Sequence, residues 1–156
     1  QGGTTNSMLA ELGLKKRHVT LTPVNWDGAV VAKVQSMHPD ISVACNDWHV
    51  YVDKLPLMSA ILLFADYTGT FRKLKHDIVN MFTTRKVKPG GMVAITISMR
   101  DRLGKNSSKL STKDYVHRYI SRSAKRGGCT CERVRMLTYK HAMLFVAYRI
   151  VSYDKL

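Results

Sequence analysis

The chain is 156 residues long and 45% apolar, and it carries 25 Lys and Arg against 11 Asp and Glu, a formal net charge of +14. That length suits one domain over residues 1–156 with a sizeable core, and no apolar run approaches the ~18 residues of a membrane helix. Three Cys argue against a disulfide scaffold and, with no leader-like opening, point to a reducing intracellular compartment.

From the start, the spacing of Met8, Leu9, Leu12 and Leu14 predicts a helix over 6–17. A β-branched strand follows over 18–24. Residues 28–37 read as a short helix with Val30, Val31 and Val34 inward, and 41–45 as a second strand. Residues 60–65 form a continuous apolar run, as suits a strand buried on both faces. Leu74, Ile78, Val79 and Phe82 share one face of a helix over 71–84. A turn at 88–91 leads into an apolar strand over 92–98. Residues 102–111 are a polar connection, and 112–126 a basic helix with Tyr115, Tyr119 and Ile120 inward, ended by Gly127 and Gly128. Strands over 132–139 and 143–151 are joined closely enough to be an antiparallel hairpin.

Alternation of this kind predicts a three-layer α/β sandwich around a mainly parallel sheet. Ligands of such sheets bind beyond the carboxyl ends of the strands. That places 25–27, 46–48, 66–70 and 98–102 on one rim.

The order, the terminal hairpin and the Lys-Pro-Gly-Gly turn at 88–91 together resemble the class I, Rossmann-like, S-adenosylmethionine-dependent methyltransferases. The two glycines of that turn suit a backbone with φ > 0 where a helix reverses into a strand. The resemblance implies S-adenosylmethionine as cofactor. Gly2 and Gly3 are similar to the end of the family's glycine-rich loop. Asn46, Asp47 and Trp48 resemble its motif after the third strand, where the Asp accepts from the adenine amino group and the next residue packs on the ring. Asp66 and Tyr67 resemble the fourth motif and are the candidate catalytic pair; the alternative for Asp66 is a cap on the helix that begins near Phe71.

Thr22 stands near the place where the family carries an acidic residue for the ribose, with Asn25 and Asp27 as substitutes. Asp-Tyr-Thr-Gly-Thr at 66–70 departs from the Asp/Asn-Pro-Pro-Tyr/Phe of enzymes that methylate base amino groups. The chain opens inside the glycine loop, and the family's first strand has no candidate. A central slot left empty would expose backbone on two strands. A further protein segment or subunit is therefore expected to complete the sheet.

The charge is concentrated: residues 1–70 carry net −1, residues 71–126 net +12 and residues 127–156 net +3. Such lopsidedness favours a polyanion-facing side, and nucleic acid, RNA ahead of DNA, is the expected partner, with no membrane anchor in view. The candidate contacts are Arg72, Lys73, Lys75, Arg100, Arg102, Lys105, Lys109, Arg118, Arg122, Lys125 and Arg126. Phe71, Phe82, Tyr115 and Tyr119 add a modest capacity for base stacking.

The six His share no metal-ligand spacing with one another or with Cys, and Cys129 and Cys131 lack a second pair, so no metal is expected. Hydrolase-elbow and P-loop motifs are absent. The competing reading is a catalytically inactive methyltransferase-like module that binds nucleic acid or scaffolds an assembly through its basic face.

Overall fold

Alternating apolar runs and amphipathic stretches do build alternating strands and helices. The computed structural model describes residues 22, 24–25, 27–37, 39, 44–100, 111–139 and 142–154. Its elements are β1 (Val24–Asn25), α1 (Gly28–Met37), β2 (Ala44–Cys45), α2 (Trp48–Lys54), β3 (Ala60–Thr70), α3 (Phe71–Thr83), β4 (Val87–Ser98), α4 (Thr112–Arg126), β5 (Cys129–Tyr139) and β6 (Met143–Tyr153). The expected helix over 6–17 and most of the strand over 18–24 lie outside the described residues. The chain divides into two compact units, Gln1–Leu55 and Pro56–Leu156.

In the second unit the strands follow the order β3-β4-β6-β5. β3 and β4 are parallel, while β6 runs antiparallel to both β4 and β5. The terminal hairpin is therefore present, and the two antiparallel pairs outnumber the one parallel pair of this sheet. Among the described residues, β3 has a strand partner on one edge only. β4 is buried on both faces from Gly91 to Ser98, the burial expected of an apolar central strand.

Both helices of this unit lie on one face of the sheet. Tyr148 of β6 is fully buried and meets Phe82 of α3 edge-on at 5.4 Å and His117 of α4 in a stack at 5.9 Å. Phe71, Ile78, Met81 and Phe82 form the buried seam of α3, and Val116, Ile120 and Ala124 that of α4. Tyr115 and Tyr119 are half-buried flanks of the α4 seam, not the fully inward residues the spacing suggested. α4 starts at a reciprocal cap: Ser111 Oγ accepts from the Asp114 N–H at 3.2 Å and donates to Asp114 Oδ2 at 2.6 Å.

The Lys-Pro-Gly-Gly turn is an outward bulge within β4. Ala60 pairs with Val87 and Leu62 with Met92, so two steps along β3 match five along β4. Gly90 has φ +83°, the left-handed conformation that favours glycine. Gly91 has no such conformation and is required for space: a Cβ there would lie 2.8 Å from the Ile61 carbonyl oxygen and 2.9 Å from that of Lys88. One of the two glycines, not both, uses φ > 0.

The first unit holds a two-stranded parallel sheet, Val24 opposite Ala44 and Asn25 opposite Cys45. α1 buries none of its residues. Val30 is 40% exposed, so it does not point inward as its spacing implied, whereas Val31 and Val34 are half-buried. Among the described residues no helix is long and apolar enough to cross a membrane.

Candidate functional site

Each strand of the first unit ends in the same local device. β1 is followed by Asp27, whose Oδ1 accepts from the Ala29 N–H at 2.9 Å and caps α1. β2 is followed by Asp47, whose Oδ1 accepts from the His49 N–H at 2.9 Å and caps α2. Capping satisfies helix N–H groups that have no partner inside the helix. Because Asn25 and Cys45 are in register, both carboxylates stand two residues beyond one sheet edge. Asn46 and Trp48, on either side of Asp47, are half-buried. The Asp47 Oδ2 carries no hydrogen bond among the described residues. One carboxylate oxygen is thus spent on the helix, and Asp47 as a residue is exposed. Gly2 and Gly3 lie outside the described residues.

In the second unit, Asp66 is an exposed residue near the carboxyl end of β3, opposite Thr96 of β4. It does not cap the following helix. Thr70 occupies the N-cap position of α3, without a side-chain cap bond. Asp66 has no hydrogen bond or ion pair among the described residues. Tyr67 beside it is half-buried.

The basic residues separate into two kinds. Arg72, Lys73, Arg100, Arg118, Arg122, Lys125 and Arg126 are exposed. On α4, Arg118, Arg122 and Arg126 follow one another at four-residue spacing, about 6 Å of rise per step. With Lys125 they carry no ion pair among the described residues. Lys75 is different. Its ammonium sits 4.8 Å from the centroid of the Tyr119 ring, 5.2 Å from that of Tyr115 and 6.0 Å from that of Phe71, and it donates to the Tyr115 hydroxyl at 2.6 Å. The hydrogen bond to Tyr115 and the cation–π contact with Tyr119 hold Lys75 between α3 and α4. Arg102, Lys105 and Lys109 lie outside the described residues.

Arg133 is a further exposed basic residue, outside the candidate contacts read from the sequence. It stands opposite Tyr148 across the β5–β6 ladder, on the side of the sheet that packs α4. The signal in the sequence is its alternation with Arg135, but that pattern gives no face until the hairpin register is known.

His117 Nδ1 lies 2.9 Å from the Tyr148 hydroxyl. Burial, with the Arg133 charge next in weight, holds the His117 pKa below its ordinary value of 6.5. A folded-state pKa below the unfolded one means that the unfolded chain takes up the proton first. This contribution to stability is present above about pH 6.5 and is lost as pH falls below it. Urea unfolding at pH 5 and pH 7 checks this, and His117→Gln is expected to reduce the difference between the two.

The Cys129 thiol is pushed up by its hydrogen bond with Cys131 and then by burial, and the same bond lowers Cys131. Among the described residues no three His, Cys, Asp or Glu are grouped as metal ligands. A cavity of about 400 Å³, lined by residues including Met58, Arg85, Pro89 and Tyr153, lies where β3 and β4 begin, at the end of the sheet away from Asp66.

No protein-family model matches the chain. No curated protein matches it in sequence. Solved structures do match its fold. HI0767 from Haemophilus influenzae, named as a candidate methylase, is 11% identical with a TM-score of 0.58, over 85% of this chain and 67% of that one. A protein from Bordetella parapertussis is 13% identical with a TM-score of 0.59, over 91% of this chain and 58% of that one. The antibiotic-resistance methyltransferase Kmr is 11% identical with a TM-score of 0.59, over 96% and 84%. At such identities the likeness is one of fold, and this chain has the α/β fold of class I methyltransferases.

Proposed function

We propose that this chain is an S-adenosylmethionine-dependent methyltransferase that acts on nucleic acid, RNA in preference to DNA. The observation that carries this reading is an exposed arginine face on α4, with no ion pair among the described residues, built onto a methyltransferase fold. Displacement at a sulfonium methyl requires chiefly that donor and acceptor be held in line and water excluded.

In this reading S-adenosylmethionine supplies the electrophilic methyl group. Asp47 accepts the adenine amino N–H through the oxygen that does not cap α2, and Trp48 packs on the ring. Asn25 and Asp27 serve the ribose in place of the acidic residue that is absent at Thr22, and Gly2 and Gly3 line the cofactor's path. Asp66 orients the acceptor, with Tyr67 shaping its pocket. The exposed residues of α3 and α4 grip phosphates, and because phosphate contacts position without reading sequence, they set the register of the substrate.

Incubation of the protein with methyl-tritiated S-adenosylmethionine and either total RNA or DNA tests the proposal. The expected result is label in RNA above DNA, lost in an Asp66→Asn variant whose melting temperature is unchanged. The two roles of Asp47 separate by substitution. Asp47→Asn keeps a good cap but places an amide where a carboxylate acceptor stood. S-Adenosylhomocysteine affinity is expected to fall about tenfold, consistent with loss of a charge-assisted hydrogen bond, with stability unchanged in urea melts. Asp47→Ala is expected to lose both, at a stability cost of about 1 kcal/mol.

The inactive-module reading draws on one specific observation: Asp27 and Asp47 both cap helices, a purpose they serve without any cofactor. RNA binding without S-adenosylhomocysteine binding would favour it.

A further inference from the structure

We propose that the arginine-bearing surface of α4 takes unpaired nucleic acid, with bases stacking against Tyr115 and Tyr119 while Arg118 and Arg122 meet the phosphates. This rests on the nucleic-acid reading above and specifies the form of nucleic acid.

The two tyrosines are one helical turn apart, with ring centroids 6.3 Å apart and planes tilted by 33°. They lie outside the buried seam of α4, which Val116, Ile120 and Ala124 form. They stand half-buried at its border. The Tyr119 hydroxyl has no hydrogen bond among the described residues. Both rings are nevertheless held in place. The fully buried Phe71 meets them nearly perpendicular, at 5.9 and 5.4 Å, and the Lys75 ammonium lies 5.2 and 4.8 Å from their centroids. Rings already ordered lose little rotamer freedom when a base settles on them.

Arg118 lies between the tyrosines in sequence and Arg122 follows one turn on, both exposed and without ion pairs among the described residues. Aromatic rings interleaved with phosphate-binding cations are the composition of a single-strand surface. In a duplex the base faces are covered by their neighbours, so such rings would find only a backbone. Stacking also tolerates any sequence, since every base has a π-face.

Fluorescence anisotropy of the whole protein with three labelled probes at equal ionic strength tests the proposal. The probes are an oligouridylate, an abasic ribose-phosphate of the same length and charge, and an RNA duplex with the same number of phosphates. The oligouridylate is expected to bind about tenfold more tightly than the abasic strand and more tightly than the duplex. Tyr119→Leu is expected to remove most of the preference for bases, and Tyr119→Phe to keep it. Equal binding of base-bearing and abasic strands by the unsubstituted protein would overturn the stacking proposal and leave the nucleic-acid reading standing. Tighter binding of the duplex would overturn the preference for unpaired strands. Failure of all three probes to bind at low salt would overturn both.

Discussion

Reversing three charges on α4, with Arg118, Arg122 and Arg126 each replaced by Glu, is expected to weaken RNA binding by about a hundredfold or more near 50 mM salt. Each phosphate contact releases condensed counterions, and each contributes about 0.7 to the slope of log affinity against log salt for a single strand. Loss of three contacts should therefore flatten that slope by about 2. The three side chains are exposed and have no ion pairs among the described residues, so the fold loses little. Arg126 lies in the last turn of the helix, where a cation meets the negative end of the dipole, and its reversal costs about 0.5 kcal/mol. Titration at several salt concentrations, with a melting curve for each variant, separates these effects. Unchanged affinity and slope would show that α4 does not face the nucleic acid.

Gly91→Ala is expected to destabilise the protein by about 3 kcal/mol, at the upper end of the range for overpacking. Its new Cβ would meet two carbonyl oxygens at 2.8 and 2.9 Å and Val87 Cγ1 at 2.7 Å. Two of those neighbours are backbone in the bulged segment where β3 meets β4, so relief requires shifting that pairing. Gly90→Ala meets nothing within 4 Å and is expected to cost about 1 kcal/mol, from a Cβ held in the left-handed region. Urea unfolding of both variants checks the order. A tolerated Gly91→Ala beside a severe Gly90→Ala would reverse the roles assigned to the two glycines.

The helices most legible in the sequence were those with a local stop and start. Asp27 marks the beginning of α1, and Ser111 and Gly127 bracket α4, so 28–37 and 112–126 emerge with the expected bounds. α2 is not legible in the sequence because Val50, Tyr51 and Val52 favour strands and seven residues are too few to display a period; the Asp47 cap is its one signal. Strand lengths were underestimated for another reason. β3 continues through Asp66 to Thr70, and β5 begins at Cys129, because backbone pairing extends where side chains are no longer uniformly apolar.

Residue types at the candidate site were easier to recognise than their commitments. Asp66, Asp27 and Asp47 look alike in sequence, yet the last two cap helices and the first does not. Lys75 reads as one more surface cation beside Arg72 and Lys73. Its partner Tyr115 is 40 residues away, and only the packing of α3 on α4 brings them together. Arg133 was overlooked for the same reason, since its neighbours are set by the hairpin register and by α4. Tertiary contacts of this range leave no local period to detect.

Calorimetric titration of the protein with S-adenosylhomocysteine tests most directly whether this fold serves methyl transfer. Saturable binding at one site per chain is expected, weakened in the Asp47→Asn variant. Absence of binding at millimolar ligand, by protein that still unfolds cooperatively, would contradict it.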